Sequence, residues 1–385
     1  METVYLASCP TYDLTKIKSI IYNGLEQLHF SPDQFSGKRV GLKPNLLLPC
    51  KPDRAIITHP IFFQAIVEIV KDHGGIPVLI ENPAIHSLET ILKKTPYGEI
   101  VRTMQIETPD MTPTQSISFD QGVQFKTIEI SSAFFDVDMI VNIPKLKTHG
   151  LTAITGALKN LFGAMPGLKK SRMHLKAPSR DDFSVFLMDL YGALSFGFDP
   201  PKPILHIMDG ILGMEGEGPG LSGTPAQVGV IIMGRDPLAV DWTFTQITKI
   251  PPDDVPTLTE GFKRPYCVSS PDDIQILGEN ITQLQLPDFK MSKNKFLSNG
   301  VRWPFTSNFF KQLILEKPVP KPDKCTLCYQ CMRICPAKVI SPPQKLGKIP
   351  VYDYNQCIRC FCCMEICPEA AIQLQKGWLQ WILRY

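Results

Sequence analysis

Nine of the twelve cysteines lie between Cys325 and Cys367, although the chain has 385 residues and its first 324 hold only three. Eight of the nine form two runs of one spacing. Cys325, Cys328, Cys331 and Cys335 precede Pro336, and Cys357, Cys360, Cys363 and Cys367 precede Pro368, so each run reads C-x2-C-x2-C-x3-C-P. Such clustering points to metal binding rather than to a disulfide framework. Soft thiolates at this spacing suit iron–sulfur clusters. Zinc, which usually joins a C-x2-C pair to a distant second pair, is the alternative, together with a cluster that serves only as a staple.

The segments CTLCYQCMRICPAKVI and CIRCFCCMEICPEAAI align at an offset of 32 with 8 of 16 positions identical, which marks an internal duplication. The region resembles bacterial two-cluster ferredoxins, in which the fourth cysteine of each run ligates the other cluster. The expected sets are therefore Cys325, Cys328, Cys331 and Cys367 for one 4Fe-4S cluster, and Cys357, Cys360, Cys363 and Cys335 for the second. Cys362 has Gln330 as its counterpart and is expected to be a packed free thiol. Two clusters sharing ligands imply electron transfer, and with it a redox partner protein. They also change the charge: the formal +3 falls to about −1, since each cluster with its thiolates carries about −2.

The second stretch that can do chemistry is NIPKLKTHGLTAITGALKNLFG, from 142. Lys145, Lys147 and His149 are expected on a loop that feeds a helix, whose start is its positive end. From 142 to 180 there are eight Lys or Arg, two His and no Asp or Glu. Cations at a helix start imply a phosphate- or carboxylate-bearing small ligand. Nucleic acid is not expected, because the basic residues follow no recognition pattern and lack interleaved aromatics.

The elements that must position these groups alternate. RVGLKPNLLL from 39, IPVLIEN from 76, DMIVNIP from 138, ILHIMDG from 204 and VGVIIMG from 228 read as strands, and HPIFFQAIVEIVKDHGG from 59 as a helix. The implied fold is α/β, a mainly parallel sheet with helices on both faces, followed by a small duplicated α+β ferredoxin-type domain. Ligands of such sheets bind beyond the carboxyl ends of the strands. That rim carries Lys43, Asn45, Glu81, Asn82, Lys145, Lys147, His149 and Asp209. Gly218, Gly220 and Gly223 spell G-x-G-x-x-G, but Pro219 interrupts them and a strand follows, so they read as a loop that a ligand can approach. Asp236 and Pro237 read as a helix start, and Thr58 and Pro60 as another.

KPN at 43, the lysine stretch, DGILGMEGEGP from 209 and RDPLAVD from 235 together resemble the family named domain of unknown function 362, over roughly residues 1 to 280. The resemblance implies candidate positions and no general reaction: Lys43, Asn45, Lys145, Lys147, His149, Lys159, Asn160, Asp209, Glu215, Gly216, Gly218, Asp236 and Asp241. From these and the basic stretch, His149, His174, Asp209 and Glu215 are the expected proton-moving groups, and Lys43, Asn45, Lys145, Lys147 and Lys159 the expected anion-binding groups.

The expected organisation is an α/β domain over 1–280, a connector over 281–322 with a short amphipathic helix at FFKQLILEK and a stiff VPKPDK linker, a ferredoxin-type domain over 323–375, and an aromatic tail over 376–385. No apolar run is long enough for a membrane span and the first residues do not read as a secretory signal, so a cytoplasmic location is expected. The tail is expected to pack on the protein itself, with membrane-surface or partner docking as the alternative. The functional expectation is an iron–sulfur oxidoreductase acting on an anionic substrate or phosphate-bearing cofactor. The alternative is a non-catalytic electron carrier or assembly factor whose basic stretch docks an acidic partner. Convergence of the basic residues into a pocket separates the two.

Overall fold

The computed structural model describes residues 1–167, 169–292, 316–344 and 347–375. Its strands, in chain order, are β1 (Glu2–Ser8), β2 (Arg39–Pro44), β3 (Ile76–Leu79), β4 (Thr114–Ser118), β5 (Thr127–Ser131), β6 (Met139–Ile143), β7 (Lys145–His149), β8 (Ala153–Ile154), β9 (Ile204–Gly216), β10 (Gly223–Gly234), β11 (Ile274–Gly278), β12 (Lys317–Pro320), β13 (Ile340–Ser341), β14 (Val351–Tyr352) and β15 (Ile372–Gln375). The FFKQLILEK segment and the aromatic tail lie outside the described residues, apart from Glu316 and Lys317.

The large sheet runs β11-β1-β10-β9-β6-β2-β3, with β7 also beside β9 and β8 beside β7. The pairs β2–β3, β2–β6, β6–β9, β7–β9 and β1–β11 are parallel, while β9–β10 and β1–β10 are antiparallel. The expected mainly parallel α/β fold is therefore present, in mixed form. Successive side chains point to opposite faces. On β6, Ile140 joins the core beneath the Arg180–Phe196 and Pro237–Thr248 helices, while Met139, Val141 and Ile143 join the core beneath Leu14–Gln27 and Pro60–Asp72.

The lysine segment corrects the expectation of a loop. Lys145–His149 is a strand, all five of its residues buried, and it runs beside the second half of β9 where β6 runs beside the first. Pro144 has no N–H and separates the two, yet its carbonyl accepts from Asp209 N at 2.9 Å. The helix begins only at Gly156 and spans Gly156–Asn160. The glycine-rich run is the turn of the β9–β10 hairpin, consistent with a loop rather than a dinucleotide fingerprint. Asp236 caps its helix as expected, accepting from Leu238 N and Ala239 N. At the other helix His59, not Thr58, is the cap, because the Thr58 hydroxyl donates to Ile143 O.

In the C-terminal part, β12 pairs with β15 and β13 with β14. The first of these strands takes up Val319 and Pro320, which the sequence reads as linker, so the module's structure starts at Lys317. Its duplication extends to the backbone. Leu327, Tyr329 and Lys338 have positive φ, as do Arg359, Phe361 and Ala370, each 32 residues further on. Left-handed residues at matched places turn successive N–H groups into a concavity suited to an anionic cluster.

Candidate functional site at the junction of the two parts

β7 carries three polar side chains on one face. Lys145 lies opposite Asp209 of β9, and its Nζ donates to Asp209 Oδ2 at 2.7 Å and to the Tyr12 hydroxyl at 2.8 Å. Asp209 also accepts from the Tyr12 hydroxyl and from His59 N, both at 2.9 Å. This carboxylate, expected as an acid or base, is fully buried and saturated with donors. Lys147 donates to Asn45 Oδ1 at 2.7 Å and Ile56 O at 2.8 Å, and among the described residues no carboxylate pairs with it. Burial lowers its pKa to about 7, with Lys159 adding to the effect.

Asn45 continues a chain of amides. Its Nδ2 donates to Asn160 Oδ1, Asn160 Nδ2 donates to Asn142 Oδ1 and Lys43 O, and Asn142 Nδ2 meets Ala157 O and His206 Nδ1. Lys43 itself is paired with Glu81 at 2.5 Å in the interior. The helix start also has its anion already. Asp241 accepts from Ala157 N at 2.5 Å and Leu158 N at 3.1 Å, although burial pushes its carboxyl up to about 7. Gly156, at φ +53°, leaves room for it, since a Cβ there would run into that carboxylate. Gly156→Ala should therefore destabilise the protein by about 1–3 kcal/mol, read as a lower denaturant midpoint.

Lys145 is thus neutralised and the helix start occupied, whereas Lys159 of the same basic stretch faces a cavity. This lysine is half-buried, and among the described residues its ammonium has no hydrogen-bond partner. Burial lowers its pKa, and Glu365 and Cys362 oppose that shift. Lys159 lines a cavity of about 100 Å3 with Asn45, Glu81, Lys170 and His174 on one side and Ile334, Cys362, Glu365 and Ile366 on the other. Both parts of the chain thus build one chamber. His174 is buried, stacked on Phe183 at 4.4 Å, and held at a pKa of about 4 by burial. Lys170 donates to Asn82 O, and burial holds it at about 7.

Glu365 joins the two parts. Its Oε1 lies 3.1 Å from His149 Nε2, while His149 Nδ1 accepts from Leu151 N at 2.9 Å, which leaves the proton of the neutral ring on Nε2. Burial opposes ionisation of Glu365, but His149, Lys159 and His174 outweigh it and hold the carboxyl at about 2. Gly220, in the hairpin turn, packs so tightly on the short Cys362–Glu365 helix that a Cβ would meet the Glu365 carbonyl oxygen.

The structure thus gathers Asn45, Lys159 and His174 in the cavity wall, with Lys43, Lys147 and His149 directly behind. It sets Lys145 and Asp209 in a separate network. Glu215 is elsewhere, accepting from Lys290 N at 2.8 Å. Sequence reasoning missed Glu365 and Lys170, and it treated Cys362 as inert packing. The break in the duplication at Cys362 was the one visible signal.

The crossed assignment of the cysteines stays an expectation. Cys325, Cys328, Cys331 and Cys367 line one small recess with Tyr329, Pro350 and Tyr352. Around Cys363, burial and then the thiols of Cys360, Cys357, Cys331 and Cys335 raise its pKa, so thiols of both runs and both expected sets lie close to it. Thiols that suppress one another's ionisation fit a cationic cluster core, which relieves that repulsion.

Comparison with known proteins agrees with this architecture. A model described as domain of unknown function (DUF362) matches residues 40–246, just over half the chain, and one described as a 4Fe-4S dicluster domain matches residues 317–368, so this is an iron–sulfur protein. A thylakoid-associated protein of a Synechocystis strain is 32% identical over 227 residues, 58% of this chain and 66% of that relative, just short of two thirds of its length. The lactate racemase apoprotein of Thermoanaerobacterium thermosaccharolyticum overlaps 54% of this chain and 51% of its own, at 15% identity and a TM-score of 0.34, a level at which no chemistry transfers. Among the described residues no helix is long and apolar enough to cross a membrane. With its motifs in order and more than half its length matched, the chain belongs to the DUF362 family.

Proposed function

We propose that the protein is an oxidoreductase that holds a small anionic substrate, or the anionic group of a cofactor, in the cavity between the α/β part and the ferredoxin-type module. The observation that carries this reading is the half-buried Lys159 ammonium, without a hydrogen-bond partner among the described residues, in a chamber walled by Cys362 and Glu365 of the module. Two 4Fe-4S clusters on the eight cysteines would supply or accept electrons singly. Lys159 binds the anion, Lys170 adds a second cationic group at the wall, and Asn45 and Asn160 orient it. His174, neutral and buried, can exchange a proton at the ligand, and Glu365 with His149 can move one between the module and β7. A cavity of about 100 Å3 suits a ligand group of a few heavy atoms.

Convergence of Lys159 and Lys170 on one cavity, with Lys147 buried behind Asn45, favours the enzyme over the docking protein. Arg172 and Lys176 favour the second reading in part, because they are exposed at a separate groove with Lys169. Two measurements test the proposal. Anaerobically purified protein should hold about eight iron and about eight labile sulfides per chain, and zinc without sulfide would refute the cluster assignment. Lys159→Met should weaken binding of a small carboxylate or inorganic phosphate roughly 10- to 150-fold, the loss of one charge-assisted hydrogen bond of about 1.5–3 kcal/mol. Unchanged binding in a variant with full iron content rejects the anion site.

A further inference from the structure

The two sets of cysteines sit in different surroundings. Ile334, Cys362 and Ile366 form a small apolar cluster at the cavity wall, and Cys360 packs on it, as do Ala84 and Ile85 of the α/β part. Of the wall residues, Ile334 and Cys362 are the chain neighbours of Cys335 and Cys363, and Ile366 is the chain neighbour of Cys367, so two ligands of one set and one of the other stand next to wall residues. The recess of Cys325, Cys328, Cys331 and Cys367 is lined wholly by residues of the module, among them Pro320, Pro350 and Glu369. Cys328 is exposed there, and so are its neighbours Lys324 and Thr326.

We infer that the sets have fixed and different roles: Cys335, Cys357, Cys360 and Cys363 address the cavity, and Cys325, Cys328, Cys331 and Cys367 address an external one-electron carrier protein. The inference rests on the redox reading above and deepens it by giving the module a direction. The crossed positions of Cys335 and Cys367 tie the sets together. The carrier meets the chain at the face around Cys328, the one exposed cysteine of the eight, in a recess lined by the module alone. Each carrier molecule exchanges one electron, so a two-electron change of the bound anion uses two carriers.

Electron paramagnetic resonance of the reduced, anaerobically prepared full chain tests this without any substrate. Lys159→Met removes a positive charge beside the cavity-side set and should lower the reduction potential of one cluster only. Lys159→Arg keeps the charge and should restore that potential. Glu369→Gln removes a negative charge from the recess of the other set and should raise the potential of the other cluster. A soluble nickel chelate should then relax the Glu369-sensitive signal more strongly than the Lys159-sensitive one. The inference is overturned if both variants move the same signal, if Lys159→Met moves neither, or if the chelate relaxes the two alike. These readouts are independent of anion binding: polarity with unaltered phosphate binding in Lys159→Met would refute the substrate site alone.

Discussion

Replacing Lys145 with methionine should destabilise the protein by about 3–5 kcal/mol. The substitution leaves Asp209 buried without its cation, and the Tyr12 hydroxyl and His59 N–H offset only part of its desolvation. The double variant Lys145→Met, Asp209→Asn should recover most of the loss, because a neutral amide has no charge to strand, and the Tyr12 hydroxyl can still donate to its oxygen. Denaturant midpoints of the loaded protein under anaerobic conditions measure both. Equal destabilisation by the single and double variants would show that the pair matters only for packing. The result also decides how ligand experiments are designed. Lys145 variants would lose ligand by losing structure, whereas Lys159 tests contact with the anion.

Acid should destabilise the protein more steeply than carboxylate protonation alone explains. His149 and His174 are buried and held at about 4, and His206 at about 3, in each case chiefly by burial. Their folded pKa values lie below the unfolded value of about 6.5, so between pH 6.5 and pH 4 the unfolded chain binds more protons. Stability is therefore full above pH 6.5 and falls as the pH drops through that window. Each histidine can withdraw up to about 3 kcal/mol there. Asp241 acts with the opposite sign, since its folded pKa is raised, but one carboxyl does not cancel three imidazoles. Denaturant midpoints from pH 4 to 7 should slope upward, and His206→Gln should flatten the slope. A slope identical in the variant would show that His206 is not buried in its neutral form.

Periodicity made the core strands legible, because β2, β3 and β6 are short apolar runs with helices between them. Cysteine spacing made the module legible, together with the 32-residue offset that its backbone repeats. The lysine segment was misread because the residue types on β7 are those of a loop. Only tertiary context, with Asp209 accepting from Lys145 and Asn45 from Lys147, makes a buried strand of them. The cavity could not be read at all. Lys159 and Cys362 are about 200 residues apart, and nothing local in either segment signals that the module folds onto the α/β part. Asp241 was legible as a family position but not as the group that fills the helix start, since that depends on a contact across 84 residues.

The most direct test of an anion held between the two parts is native mass spectrometry of anaerobically purified protein, with extraction of whatever accompanies it. Wild type, Lys159→Met and the exposed control Arg172→Met would be compared at equal iron content. The account predicts a small phosphate- or carboxylate-bearing molecule retained by wild type and by the control and lost from Lys159→Met. The same molecule retained by all three, or wild type that holds none and takes up neither phosphate nor small carboxylates at millimolar concentration, would contradict it.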